Sequence, residues 1–165
     1  MAQLYPVAGA RLFIGPAEDD VPDDDDLDAA DFASIVWTEV KGWQTMGAVG
    51  DAAALITENV ISRARDWKGK GTRNAGSMTN NFVIIPTDPG QLALIAAEAS
   101  PFNFPFKIEF NDKPPTGAAP KNSMKYFYGL VMSANEQGGA ANTTRLLSGN
   151  VEINSKVVHV AASAT

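Results

Sequence analysis

The segment FPFKIEF at 104–110 sets Phe104, Phe106, Ile108 and Phe110 at every second position, with Pro105, Lys107 and Glu109 between them. An apolar period of two puts one set of side chains on a single face of a strand, and a helix of period 3.6 cannot gather it. GNVEINSKVVHV at 149–160 repeats the pattern, with Val151, Ile153 and Val157 inward against Asn150, Glu152, Asn154 and Lys156 outward. ARLFIG at 10–15, SIVWTEVKGW at 34–43, ALITENVISRA at 54–64 and KYFYGLVMSA at 125–134 are rich in β-branched and aromatic residues and broken by Gly, Asp and Ala. With the polar alternation that leads into FVII at 82–85, about seven strands are expected.

One helix interrupts them. In DPGQLALIAAEAS, Asp88 is a good N-cap, Pro89 takes the first helical position, and Gln91 stands three residues after the cap as in a capping box. The spacing predicts a helix over about 89–99 that packs through Leu92 and Ile95, with Ala96 and Ala99 on the same face. The expected fold is mainly β: one domain over 1–165, a β-sandwich or partial barrel with one flanking α-helix and long protruding loops.

Composition narrows the chemistry. The chain has no cysteine, which excludes disulfides, thiolate zinc sites and cysteine nucleophiles. No stretch reaches the roughly 18 apolar residues of a membrane span, and the N-terminus lacks the pattern of a signal peptide, so a cytosolic, soluble chain is expected. Charge is unevenly placed: residues 1–31 hold nine acids against Arg11, so the net −6 belongs to PAEDDVPDDDDLDAAD at 16–31. Such a like-charge run reads as a solvated loop outside the core. Asp24, Asp26 and Asp28 have the spacing that opens a calcium loop, but Ala29 and Ile35 stand where that loop needs Gly and Glu. No metal or cofactor site is expected.

Catalytic constellations are scarce. His159 is the only histidine and lies in the apolar VVHVAA, without a GxSxG elbow or a second metal-ligating histidine, so an enzyme is not expected. The stretch DWKGKGTRNAG is the remaining feature. A phosphate loop fails there because Ala64 and Gly71 occupy the positions of its first glycine and its hydroxyl residue. Arg63, Arg65, Lys68, Lys70 and Arg73 around Trp67 suit phosphate contacts, yet the sequence pI near 4.7 argues against a nucleic-acid binder. A flexible basic hairpin and a fastening between subunits remain.

The run KGKGTRNAGSMTNNFVIIPTDPGQLALIAAEAS resembles the central signature of the tail tube proteins of long-tailed bacteriophages: a basic glycine loop, a polar strand, a D-x-G-Q turn and a helix. WTEVKGW with GAVGDAAALITENVI, and YFYGLVMSANEQGGAANTTRLLSGNVEINSKVV, resemble the family's early and closing segments, so the resemblance spans about 35–160 and omits the acidic segment. It implies a structural virion protein that forms hexameric rings stacked into a tube around a tape-measure protein. Its other partners would be tail terminator and distal tail proteins, double-stranded DNA would pass transiently through the lumen, and no membrane is involved. If each subunit gives four strands, about 24 strands spaced ~4.8 Å and tilted ~40° enclose a backbone diameter near ~48 Å.

Within that frame, Arg63, Arg65, Lys68, Lys70 and Arg73 are expected in an inter-subunit loop over 63–76, with Asp23, Asp24, Asp25 and Asp26 as a candidate partner surface. Thr79, Asn81, Asn150, Glu152, Asn154 and Lys156 are the lumen-facing candidates. The alternatives are a tube protein of a contractile tail or secretion system, which shares the architecture, and a β-sandwich module that binds glycan or protein.

Overall fold

The computed structural model describes residues 4–165, so residues 1–3 of the expected domain lie outside the described residues. Its elements are β1 (Arg11–Ile14), β2 (Thr38–Val40), β3 (Trp43–Thr45), β4 (Ala52–Glu58), β5 (Trp67–Asn74), β6 (Ser77–Val83), α1 (Pro89–Glu98), β7 (Phe104–Glu109), β8 (Met124–Gln137), β9 (Leu146–Ile153) and β10 (Val158–Val160). The mainly β class with one flanking helix agrees with the sequence reading, but the described residues form ten strands rather than about seven. Two expected strands are each broken in two. Gly42, at φ 78°, turns the chain between β2 and β3. Asn154–Val157 separates β9 from β10 because Ser155 turns inward, its Oγ accepting from Tyr128 N at 2.8 Å. The third difference is β5: the basic glycine stretch is a strand paired with β4, not a loop.

The main sheet runs β2-β1-β7-β8-β9-β6-β3, with β10 also on β8, and every pairing is antiparallel. The long strand β8 is the hinge of this sheet. Up to Gly129 it pairs with β7, and from Gly129 onward with β9 on its other edge. The register shifts between Val131 and Ser133, a bulge that bends and twists the strand. The two outermost strands, β2 and β3, are consecutive in sequence, so the sheet folds over on itself as a sandwich and encloses one core. Phe106 and Phe127 stack there at 5.5 Å between centroids, with Phe82, Met78, Ile108 and Leu147 fully buried around them.

The helix begins as the capping signal indicates, with Asp88 Oδ2 accepting from Gln91 N at 3.0 Å and Pro89 at its start. Its packing face does not follow the spacing. Gly90, Gln91, Leu94 and Ala97 are buried, whereas Leu92 is 53 % and Ile95 43 % exposed, which corrects the expected face. PGQLALIAAE is apolar almost all round, so periodicity does not choose a side. Polar contacts at the first turn choose it: Gln91 Nε2 donates to Lys41 O and Val83 O, and its Oε1 accepts from Ile85 N. Gly90 meanwhile lies so close to β2 that a Cβ there would stand 2.0 Å from Glu39 O.

The acidic segment also differs from expectation. Its aspartates are exposed, but Leu27 and Phe32 are buried in a second apolar cluster with Tyr128, and Phe32 lies 5.0 Å from the rings of both Tyr126 and Tyr128. The segment is a strap over the outer face of the sheet, not a loop outside all packing. Charge density in the sequence conceals the two anchors. Asp24 Oδ1 accepts from Lys156 N at 2.7 Å and ties the strap to the turn after β9.

Denaturant unfolding checks this assignment of faces. Leu94→Ala is expected to lose ~2–5 kcal/mol through lost burial and a cavity, and Phe32→Ala ~3–5 kcal/mol. Leu92→Asp is expected to fall within ~0.5 kcal/mol of the unsubstituted protein because its side chain reaches water.

Candidate assembly interface

The hairpin β4–β5 stands apart from the sandwich as a two-stranded sheet whose residues are exposed except for half-buried Gly71. Its register sorts the side chains. Leu55 and Thr57 pair with Lys70 and Lys68 on one face, while Ile56 and Glu58 pair with Gly69 and Trp67 on the other. Arg63 lies over the Trp67 ring at 5.4 Å, and Arg73 pairs with Asp51 at 3.2 Å. Arg65, Lys68 and Lys70 have no ion-pair partner among the described residues. The structure therefore gathers the five expected cations on one projecting arm, together with exposed Leu55, Ile56, Ile61 and Trp67.

A second surface is the outward face of β8, β9 and β6. Asn150 sits between Thr79 and Ser133, and its Nδ2 donates to Thr79 Oγ1 at 2.9 Å. Ser148 sits in the next row between Asn81 and Asn135, and Glu152 lies opposite Ser77. Asn80, one residue out of phase, turns inward and is satisfied, its Oδ1 accepting from Trp43 Nε1 and Gly47 N. Thr79, Asn81, Asn150 and Glu152 thus share one face. Asn154 and Lys156 lie past the end of β9, in the turn before β10: Asn154 Nδ2 donates to Asn103 Oδ1, and the Lys156 backbone N–H donates to Asp24 Oδ1. Beyond Gly129, no strand among the described residues pairs with the β7-side edge of β8.

Asp24 and Asp25 line an open cleft of about 940 Å³ with Asp51, Arg73, Glu152 and Lys156. Arg73 thus shares an open cleft with Asp24 and Asp25 while its ion pair is to Asp51, and Asp23 to Asp26 are exposed.

One charged cluster was not legible as such in the sequence. Arg11 donates to Glu109 Oε1 at 3.0 Å, Asn122 Nδ2 to the same oxygen at 2.9 Å, and Lys107 Nζ lies 4.0 Å from the centre of the Phe13 ring. Burial lowers the Lys107 pKa, against the opposing charge of Glu109 and with help from Arg11. Burial works to raise the Glu109 pKa, but hydrogen bonds from Asn122 and Arg11 and the charges of Arg11 and Lys107 outweigh it, so the net shift is downward. The signal was the pair Arg11 and Glu109, which only the β1–β7 register places opposite one another. His159 is exposed on β10 opposite Lys125, and no group of three metal-ligating side chains gathers among the described residues.

No protein-family model and no curated protein matches the sequence. Solved structures do match its shape. The anti-feeding prophage baseplate in its 6-fold symmetrised structure has a chain of TM-score 0.64 at 8 % identity, covering 98 % of both chains. The SPP1 tail tube gives 0.62 at 14 % identity over 94 % of this chain and 80 % of that one. The sheath/tube terminator of the PVC extracellular contractile injection system gives 0.64 at 11 % identity over 97 % and 99 %. The chain shares its fold with these baseplate, tail-tube and terminator proteins. The resemblance read from the D-x-G-Q run is consistent with these neighbours at the level of fold. Among the described residues, no helix is long and apolar enough to cross a membrane.

Within this fold, the Glu109 cluster sets a pH dependence. A carboxylate whose pKa is lower folded than unfolded contributes stability above its unfolded value and loses it as pH falls through the folded value. Melting temperatures measured from neutral pH down through the carboxylate range are expected to fall less steeply for Glu109→Gln than for the unsubstituted protein.

Proposed function

We propose that this chain is a structural tube protein of a phage tail, not an enzyme, and that it polymerises as stacked hexameric rings. The supporting observation is the half-sheet β8-β9-β6-β3. It offers four strands per subunit, an outward face of amides and hydroxyls, and an unpaired β8 edge beyond Gly129. Six such half-sheets side by side would supply about 24 strands, enough for a bore of ~48 Å between backbones. In this reading Thr79, Asn81, Asn150 and Glu152 line the lumen. Amides and hydroxyls wet the wall and Glu152 adds only negative charge, so the wall does not hold a polyanion by charge, which suits transient passage of double-stranded DNA.

The arm β4–β5, with Arg63, Arg65, Lys68, Lys70 and Arg73, is the fastening between subunits, and the strap aspartates Asp23 to Asp26 are a candidate surface for it. A heterologous contact of this kind closes into a ring or propagates as a filament, according to its rotation. The tube would enclose a tape-measure protein, end on terminator and distal tail proteins, assemble in the host cytoplasm and reside in the virion. A tube of a contractile system is the second reading, favoured by similarity to a PVC sheath-tube complex at TM-score 0.62.

Negative-stain microscopy of concentrated protein tests the class, with rings or tubes of uniform diameter as the expected outcome and a monodisperse monomer as the contrary one. Assembly is expected to weaken as salt rises to physiological strength, where the Debye length is ~8 Å. Charge reversal of Lys68, Lys70 and Arg73 to Glu is expected to leave a folded monomer that forms no tubes. In assembled tubes, Asn150→Cys is expected to react with small maleimides and not with large ones.

A further inference from the structure

The register of the arm makes it one-sided. Ala53, Leu55 and Thr57 of β4 lie opposite Arg73, Lys70 and Lys68 of β5, with a register shift between Ala53 and Leu55. Residues opposite one another in a ladder share a face, so the three cations stand on one side of the hairpin. Lys70 and Arg73 are three positions apart, a spacing that regular alternation sends to opposite sides. The extra residue of β5 at the shift, Gly71 or Thr72, restores the phase as a bulge. Within β4 and β5 no acidic residue shares the basic side, because Glu58 lies on the other with Ile56, Gly69 and Trp67.

The root of that basic side borders the open cleft of about 940 Å³, where Asp24, Asp25, Asp51 and Glu152 stand with Arg73 and Lys156, four acids against two bases. Arg73 is already paired to Asp51, whereas Lys68 and Lys70 have no ion-pair partner among the described residues. The two walls of the cleft are held differently. The strap is anchored by buried Leu27 and Phe32, but the arm pairs with no strand outside its own hairpin. Gly50, at φ 149° with nothing within 4 Å of a Cβ position, and the bulge beside Gly71 are the places where the arm can bend.

We infer that in the unassembled chain the arm bends across this cleft onto its own strap, Lys70 and Lys68 meeting Asp24, Asp25 and Glu152, and that this closed form is autoinhibitory. The inference rests on the reading of the arm as the fastening between subunits and adds how that fastening is regulated. Closure covers at once the cations that would reach a neighbour and the acids that would receive a neighbour's arm. Groups joined by a short connection meet at an effective concentration of about a millimolar. A neighbour in dilute solution offers far less, so the chain's own acids are met first. Surface ion pairs are individually weak, so the latch yields to a neighbour as the protein concentration rises.

The absence of native cysteine makes the test direct. Leu55 stands opposite Lys70 on the basic side of the arm, Ile56 stands on the other side, and Asn154 lines the cleft, so cysteines at these places remove no charge. In dilute, unassembled protein at low salt, Leu55→Cys with Asn154→Cys is expected to form an intramolecular disulfide about tenfold or more faster than Ile56→Cys with Asn154→Cys. High salt is expected to abolish that advantage. The oxidised 55–154 chain, once concentrated, is expected to form no rings or tubes until it is reduced. Equal oxidation rates for the two pairs, or a 55–154 rate that salt leaves unchanged, overturns the closed form. Normal assembly of the oxidised chain overturns its autoinhibitory role. Each of these results leaves the tube reading standing. If the unsubstituted chain forms neither rings nor tubes at any concentration or salt, the tube reading falls and the latch with it.

Discussion

The side-chain amide of Gln91 joins three parts of the chain that are remote in sequence. It donates to Lys41 O at the corner between β2 and β3 and to Val83 O at the end of β6, and it accepts from Ile85 N in the connection to α1. Asp88, one turn earlier, receives Lys41 N and Gln91 N on a single carboxylate oxygen. Backbone groups left over where a sheet turns a corner must find partners or cost about as much as a lost hydrogen bond. Here a helix N-terminus supplies them. The corner holds β2 and β3 at the two open ends of the sheet and sets the rotation of α1 about its axis.

That rotation has consequences at the surface. With Leu94 and Ala97 turned inward, Leu92, Ile95 and Ala96 are left outside, and the helix becomes an apolar exterior feature instead of a sandwich plug. The opposite end of the molecule is organised by β8, whose bulge lets one strand serve two half-sheets. One half is covered by the acidic strap through Leu27 and Phe32, and the other keeps an uncovered polar face. A chain with one wet face, one strapped face and a projecting arm has distinct surfaces for distinct contacts, which is what the proposed tube would require.

Much of this was legible in the residue order. The alternation in FPFKIEF locates β7 and its inward face, and the cap, proline and capping-box glutamine place the start of α1 within a residue. Thr79 and Asn81 fall on the same face as Asn150 and Glu152, as their alternation suggested. Less was legible where two signals compete. A helix apolar on every side gives no face to choose, and a run of aspartates hides a leucine and a phenylalanine that anchor it. Alternation in GNVEINSKVVHV continues in letters past the point where β9 ends, so Asn154 and Lys156 lie in the turn between β9 and β10 and not on a strand.

By itself, then, the sequence determined the class of fold, the position of the helix, the cation-rich arm and the lack of thiol or histidine-cluster chemistry. These depend on local periodicity, capping and composition, which act over a few residues. Tertiary structure decided the direction of the helix face, the docking of the strap, the pairing of Arg11 with Glu109 and the separation of the glycine strand from the main sheet. Each depends on which strands become neighbours, and strand pairing joins residues as far apart as Arg11 and Glu109, at a separation of 98 positions. No local pattern carries that register, because it is set by how the two half-sheets close over one core.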